Sequence, residues 1–247
     1  MRHPCSISTV RAWILLVVCW FSVAVTSVRP ARAQSVPIVP PMGSPFSDDF
    51  ELNWAANQQY GSVGLSTDTS HSGLLSLKLT STGGGQRDVW LRHQFPQSTL
   101  GTLSVWFYDT APGSQTLYSG LYAADSTDPA MTFSVHVADW APSTYVWSGP
   151  GMGETPTTVA RALGWHQFTL RVTAAGFNAF IDQTLVGSIA GSFTFDTVRL
   201  VLSGPVWRPN ATYYFDQFSF IPAALPPPDP ATAGRPTASA LPIRTPR

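Results

Sequence analysis

The sequence predicts an all-β fold, a two-sheet antiparallel β-sandwich of the jelly-roll type. Apolar and polar residues alternate with a period of two along much of the stretch from residue 46 to residue 221, as in strands with one buried face. Clusters of Gly, Pro, Asp or Ser interrupt this alternation every 8 to 15 residues or so, about the spacing of turns between short strands. No convincing helical pattern occurs. Many short antiparallel strands bury their apolar faces by packing as two sheets.

The first five predicted strands lie in the amino-terminal part of this stretch. Their alternate positions carry aliphatic, β-branched or aromatic side chains, which suit a pleated, half-buried surface. Three consecutive glycines, residues 83–85, are expected to form a turn between the first two strands. The five predicted strands span residues 74–79, 88–93, 102–108, 116–122 and 132–138.

Four further strands are predicted in the carboxyl-terminal part, at residues 166–173, 177–182, 197–202 and 213–221. Ala175 and Gly176 separate the first two of them, and Gly supplies the positive φ that a tight hairpin turn requires. A β-hairpin is therefore expected there. The chain has no sequence period that would indicate a propeller or a solenoid, which again favours a sandwich.

The amino terminus has the three parts of a secretory signal peptide. Arg2 and Arg11 make it basic, residues 12–25 form an apolar run, and an Ala-Arg-Ala site ends at Ala33. We therefore expect residues 1–33 to be a signal peptide that is removed after Ala33, so that the mature protein is secreted to the extracellular space, the periplasm or the cell envelope. An uncleaved anchor is the alternative, but the apolar run is shorter than the roughly 20 residues that span a bilayer.

Two proline-rich segments flank the predicted domain. Residues 34–45 contain four prolines, and residues 222–247 consist largely of Pro, Ala, Thr and Arg. Because proline fixes φ and removes a backbone donor, such segments do not join sheets. The sequence thus predicts a linker at residues 34–45, a sandwich domain at residues 46–221 and a disordered tail at residues 222–247.

Removal of the predicted signal would change the chemistry of the chain. Both cysteines, Cys5 and Cys19, lie within it, so the mature protein would contain no disulfide. The remaining chain would carry ten basic and fourteen acidic residues, with Lys78 as its only lysine. A mildly acidic protein without a basic run is not expected to bind nucleic acid or to insert into a membrane after signal cleavage.

Several segments resemble known families of β-sandwiches. Residues 164–172 (Gly-Trp-His-Gln-Phe-Thr-Leu-Arg-Val), a Gly turn, residues 177–182 (Phe-Asn-Ala-Phe-Ile-Asp) and then Leu185-Val186 resemble a run found in the concanavalin A-like lectin/glucanase (laminin-G-like) superfamily. Gln183 stands where that run usually has Gly. Residues 48–54, 71–79 and 214–220 resemble the start and end of bacterial carbohydrate-binding jelly-roll modules. The resemblance implies a sugar or protein binder outside the cell, and some members are glycosidases or polysaccharide lyases.

Strand parity suggests an aromatic face. If strands 102–108, 116–122 and 132–138 form a meander, their non-aliphatic positions share one side of a sheet. Sugars stack on such rings, and Arg92 is a candidate polar partner beside them. The alternative is a second core layer covered by loops. The predicted carbohydrate-binding residues are Trp106, Tyr108, Tyr118, Tyr122, His136 and Arg92.

A second group of aromatic residues lies in or beside segments rich in Pro and Gly. Such loops either carry recognition at the rim of a rigid scaffold or attach themselves to the sandwich by packing. The group consists of Trp140, Tyr145, Trp147 and Trp207.

The resemblance to carbohydrate-binding modules also implies a structural Ca²⁺. Glu51 and Asp216 would be its side-chain ligands, and it would tie the two ends of the domain together where no disulfide does. Oxygen ligands of this kind suit Ca²⁺. A solvated acidic edge that discourages strand pairing between molecules is the alternative.

Catalysis is not expected from the sequence. The chain has two glutamates, Glu51 and Glu154, and lacks the Glu-x-Asp-x-x-Glu pattern of glucanases with this fold. We therefore expect a non-catalytic module that binds a polysaccharide or glycoconjugate. The alternatives are a structural or adhesive module that binds a protein, and a polysaccharide lyase or glycoside hydrolase. For a lyase, the site would consist of Arg92, His136 and Tyr118 or Tyr122.

Overall fold

The computed structural model describes residues 46–48, 50, 54–82, 87–113, 118–204 and 211–223. The predicted signal peptide, the linker and nearly all of the tail lie outside these ranges, as do Glu51 and Trp207, so these expectations stay predictions. The described residues include no helix that is long and apolar enough to cross a membrane.

The described residues form two antiparallel sheets, which confirms the predicted all-β sandwich. The first sheet contains β1 (Phe46–Asp48), β3 (Gly61–Ser66), β4 (Ser76–Ser81), β6 (Gly101–Asp109), β11 (Gly164–Thr173), β12 (Gly176–Ile181), β13 (Thr184–Ala190) and β15 (Thr212–Pro222). Its order is β13-β12-β11-β6-β15-β4-β3, and β1 also pairs with β15.

The second sheet contains β2 (Ala55–Asn57), β5 (Arg87–Thr99), β7 (Tyr118–Asp125), β8 (Asp128–Val137), β9 (Thr144–Ser148), β10 (Thr155–Ala160) and β14 (Phe195–Gly204). Its order is β10-β9-β8-β7-β14-β5-β2. All nine predicted strands overlap a strand of the structure, whereas β1, β2, β3, β9, β10 and β13 were not predicted.

The core lies between the two sheets and follows the period of two. On β6 the side chains of Leu103, Val105 and Phe107 are fully buried, while their neighbours along the strand are only half-buried. Phe107 stacks on Phe168 of β11, with ring centroids 4.7 Å apart. On this strand one face belongs to the core, and the other face carries half-buried polar and aromatic side chains.

The hairpin between β11 and β12 is confirmed, and a second hairpin joins β12 to β13. In the second turn Asp182 and Gln183 both have positive φ, 48° and 68°, as a type I′ turn requires. The Asp182 carboxylate accepts the N–H of Gln167 at 2.7 Å, which anchors the turn to β11. A Gln therefore occupies the position that usually holds Gly.

Candidate active site

Three of the predicted site residues share the outer face of the second sheet. Tyr118 and Tyr122 lie on β7, and His136 lies on the neighbouring strand β8 opposite Gly120. The His136 ring lies between the two phenol rings, with centroids 5.3 Å from Tyr122 and 5.9 Å from Tyr118. His136 is fully buried, and both tyrosines are half-buried.

The predicted single aromatic face is wrong in one respect, because β6 does not join this sheet. Its partners are β11 and β15, so Trp106 and Tyr108 lie on the outer face of the first sheet, on the opposite side of the sandwich. Trp106 stacks under His71 there at 3.7 Å, and Tyr108 packs edge-on against Trp165. Strand parity assigns a side chain to a face but does not say which sheet contains the strand.

Glu154 reaches the His136 side chain from the segment before β10. Thr155 pairs with Trp147, whose side chain is buried in the core, so Thr155 also faces the core. Glu154, the residue before Thr155, therefore points to the outer side. Oε1 of Glu154 lies 3.3 Å from Nε2 of His136, within ion-pair distance although not aligned as a hydrogen bond. The result is a carboxylate–imidazole pair on the outer face of the second sheet.

Polar contacts hold both members of this pair in place. The indole N–H of Trp140 donates to Oε2 of Glu154 at 2.7 Å. On the other side of the ring, Nδ1 of His136 lies 3.0 Å from Oγ of Ser134, which in turn contacts Oγ of Ser148 at 2.7 Å. The imidazole and the carboxylate are therefore oriented by neighbours on β8, β9 and the turn after β8.

The local electrostatics keep the carboxylate ionised and the phenols neutral. The contact with His136 lowers the pKa of Glu154, and the Trp140 N–H adds to this effect. Burial raises the pKa of Tyr122, and the charge of Glu154 raises it further. Burial also raises the pKa of Tyr118, with contributions from Glu154 and Asp139. The site thus combines a carboxylate acceptor with phenol groups that donate hydrogen bonds at neutral pH.

Arg92 lies on the same outer face as the tyrosines. The register places it opposite Arg199 of β14, and Arg199 in turn lies opposite Tyr122. The guanidinium of Arg92 also lies over the indole of Trp90, 5.3 Å from the ring centroid. The second sheet therefore brings together the predicted residues Arg92, Tyr118, Tyr122 and His136.

The sequence-based reasoning missed Glu154, Arg199 and Trp90 as parts of this site. Glu154 lies in a segment that contains Gly and Pro and shows no strand pattern. The pairing of β9 with β10 brings that segment back to the sheet, and no local pattern encodes this pairing. The aromatic group assigned to loops was also partly misplaced, because Tyr145 and Trp147 are buried on β9. Trp140 does lie in a turn, half of its surface being exposed.

The predicted calcium ligand Asp216 lies on β15 in the first sheet. Its Oδ2 accepts the N–H groups of His71 and Ser72 at 2.7 and 3.0 Å, and its Oδ1 accepts the N–H of Gln217 at 2.8 Å. Within the described ranges no group of three or more His, Cys, Asp or Glu residues is arranged to hold a metal ion. The described residues alone do not make a calcium site, and the calcium stays a prediction.

No protein-family model and no curated protein sequence matches the chain. Solved structures do share its fold. The cellulose-induced protein Cip1 is 15% identical, with a TM-score of 0.55 over 71% of this chain and 96% of that one. The Crh5 transglycosylase in complex with NAG is 16% identical, with a TM-score of 0.55 over 73% and 85%. The β-glucanase of Bacillus licheniformis is 12% identical, with a TM-score of 0.52 over 72% and 98%. The chain has the concanavalin A-like sandwich fold, as the sequence resemblance implied.

The comparison corrects two expectations about function. The similar structures are mostly glycoside hydrolases and transglycosylases, which contradicts both the prediction of a non-catalytic carbohydrate-binding module and the prediction that the protein is not an enzyme. The sequence-based argument rested on the missing glutamate pattern. That pattern concerns carboxylates on one strand and does not bear on a carboxylate that reaches the sheet from a connection between strands.

Proposed function

We propose that this protein is a glycosidase that cleaves a polysaccharide on the outer face of its second sheet. The observation that carries the proposal is the pair formed by Glu154 and the buried His136, flanked by Tyr118 and Tyr122. An ionised carboxylate fixed beside aromatic rings suits catalysis on a sugar. The rings stack on the C–H faces of the sugar, and the carboxylate is held where it can react with the sugar or accept a proton.

Hydrolysis of a glycosidic bond generally requires two carboxyl groups, one that protonates the leaving oxygen and one that activates water or attacks the sugar. Glu154 is ionised because its pKa is lowered, so we assign it the second role. Asp139, in the turn after β8, also lies near Tyr118, where burial, Glu154 and Asp139 together raise the pKa of that phenol, and we assign Asp139 the role of acid. The neutral phenol of Tyr122 then donates a hydrogen bond to a substrate oxygen.

This assignment explains why the chain lacks the Glu-x-Asp-x-x-Glu pattern that glucanases with this fold carry on a strand. On β8, the outward positions next to Tyr122 and Gly120 are occupied by Ser134 and His136 and not by carboxylates. The two proposed carboxyl groups lie outside this strand. Asp139 lies in the turn after β8, and Glu154 lies in the segment before β10. The shared fold with glycoside hydrolases and transglycosylases supports the proposal, and a glycan is the partner that we propose.

The test is reducing-end release from a panel of neutral and acidic polysaccharides by the full-length protein. We expect Glu154→Gln and Asp139→Asn each to lower the rate at least 100-fold while both variants remain folded and lose only a small part of their melting temperature, since both groups lie near the surface. Asp68→Asn is the matched control, because Asp68 pairs with the exposed Lys78 of the first sheet. Absence of cleavage on every substrate, or full activity in both site variants, would overturn the proposal.

A further inference from the structure

Two arginines lie directly opposite each other on neighbouring strands of the second sheet. Arg92 of β5 pairs in register with Arg199 of β14, and both side chains are half-buried on the outer face. Like charges in directly opposed positions destabilise a sheet. In the described part of the chain, neither guanidinium lies within ion-pair distance of a carboxylate. Among the described residues, the two positive charges are therefore held together without a carboxylate in ion-pair contact.

Two carboxylates that the structure describes on this face, Asp88 and Glu154, form no ion pair with the two arginines. Asp88 also lies on β5, but its register partner is Ser203 rather than an arginine. Glu154 is bound by His136 and Trp140. The arginine pair is thus available to an anionic group that arrives from outside.

The arginine pair continues the row of side chains that forms the candidate active site. Arg199 is the register partner of Tyr122, whose ring stacks on His136. Adjacent strands lie about 4.8 Å apart, so Arg199 is one strand and Arg92 two strands away from Tyr122. A polysaccharide bound across the strands would contact the arginines and the Glu154–His136 pair at the same time.

We propose that the substrate is an acidic polysaccharide whose carboxylate or sulfate groups bind between Arg92 and Arg199. This proposal rests on the glycosidase activity proposed above. A guanidinium donates two parallel hydrogen bonds to two oxygens of a carboxylate or sulfate group, and the anion would relieve the repulsion between the two arginines. The predicted acidic balance of the mature chain disfavours nucleic acid as the source of the negative charge. A neutral glucan would need the aromatic rings but not the arginine pair.

The test measures binding separately from cleavage. The inactive variant Glu154→Gln is titrated by calorimetry with oligogalacturonate, with an oligosaccharide of carrageenan and with a neutral β-glucan oligosaccharide. We expect one of the two anionic ligands to bind at least 10-fold more tightly than the neutral one, and the comparison between them distinguishes carboxylate from sulfate. Arg92→Gln and Arg199→Gln should each weaken that binding at least 10-fold. In neither variant should the affinity fall more steeply with rising salt concentration than it does in the parent.

Two further measurements keep the result interpretable. Without ligand, the two arginine variants should melt no lower than the parent, because each removes a repulsion. Arg171→Gln is the matched control, since this exposed arginine lies over Phe180 on the other sheet and should not affect binding. Tightest binding of the neutral ligand, or anion binding that both arginine variants retain, would overturn the proposal. Anion binding without cleavage by the wild-type protein would instead overturn only the glycosidase activity.

Discussion

Arg161 and Asp109 form a two-pronged ion pair in which neither side chain is exposed to solvent. Nε and Nη2 of the arginine each lie 2.8 Å from a different carboxylate oxygen, and Nη2 also donates to the carbonyl of Ala111. Asp109 ends β6 in the first sheet, and Arg161 directly follows β10 in the second. The pair therefore joins the two sheets at one end of the sandwich.

Removing one partner of this pair is expected to destabilise the protein strongly. In Asp109→Ala the guanidinium stays buried without its counter-charge, which costs about 3–5 kcal/mol of unfolding free energy. Urea unfolding measures the loss. The double variant Asp109→Leu with Arg161→Met should recover most of it, because apolar side chains leave no unpaired charge. Loss of the exposed pair in Lys78→Met should have no measurable effect.

Stability should also depend on pH through Glu154. Its pKa lies below the usual value of 4.5 because of the contact with His136 and the Trp140 N–H. The unfolded chain therefore takes up this proton more readily than the folded protein. The contribution of Glu154 is fully present above pH 4.5 and is lost as the pH falls through the lower folded pKa.

The measurement is the difference in melting temperature between the wild type and Glu154→Gln from pH 7 down to pH 3. We expect the wild type to be the more stable protein at neutral pH and the difference to shrink below pH 4.5. A difference that stays constant or grows toward pH 3 would contradict the assigned contact with His136.

The extent to which sequence predicts this molecule is clear from two strands. On β6, Leu103, Val105 and Phe107 alternate with half-buried residues, and the same alternation identifies the strand from the sequence alone. The same alternation does not predict which strands pair with each other. The link from β6 to β7 crosses between the sheets, and the period of two is the same whichever sheet a strand joins.

The candidate site was predictable to the extent that it lies on strands. Tyr122 and His136 follow from parity within β7 and β8 and from the short link between these strands. Glu154 does not follow, because its position depends on β10 pairing with β9 at the sheet edge. A single carboxylate outside the predicted strands carries no local signal of the residue that it will contact.

Gly120 is expected to be essential for the geometry of the site. A Cβ at this position would lie 2.3 Å from the carbonyl oxygen of Val135 and 2.6 Å from Cα of His136, both backbone atoms of β8. In Gly120→Ala the two strands must move apart, which costs about 1–3 kcal/mol and displaces His136 from Glu154. Thermal melting and the rate of polysaccharide cleavage should both fall.

The control for this substitution is Gly64→Ala on the strand β3. A Cβ there would meet no atom within 4 Å. We expect stability to be unchanged or slightly higher, since alanine reduces the conformational freedom of the unfolded chain. Equal behaviour of the two alanine variants would show that the close approach of β7 and β8 at Gly120 is not required.

Asp216 is expected to stabilise the loop before β4 with or without calcium. Its buried carboxylate accepts three backbone N–H groups, two of them from His71 and Ser72, which lie far from it in sequence. Asp216→Ala leaves these donors without their acceptor, for an expected loss on the order of 3 kcal/mol in urea unfolding. Asp128→Ala is the control, because that carboxylate accepts a single N–H, from Ala130 two residues away.

Chelation then separates the hydrogen-bonding role of Asp216 from the predicted calcium. If Ca²⁺ is bound with Asp216 as a ligand, EGTA lowers the melting temperature of the wild type but not that of Asp216→Ala, because a site that has lost its ligand has no ion to release. A wild-type midpoint that does not change with EGTA eliminates the calcium. In that case the loss of the three N–H contacts explains the effect of the substitution. Asp216 then links β15 to the segment before β4 by hydrogen bonds alone.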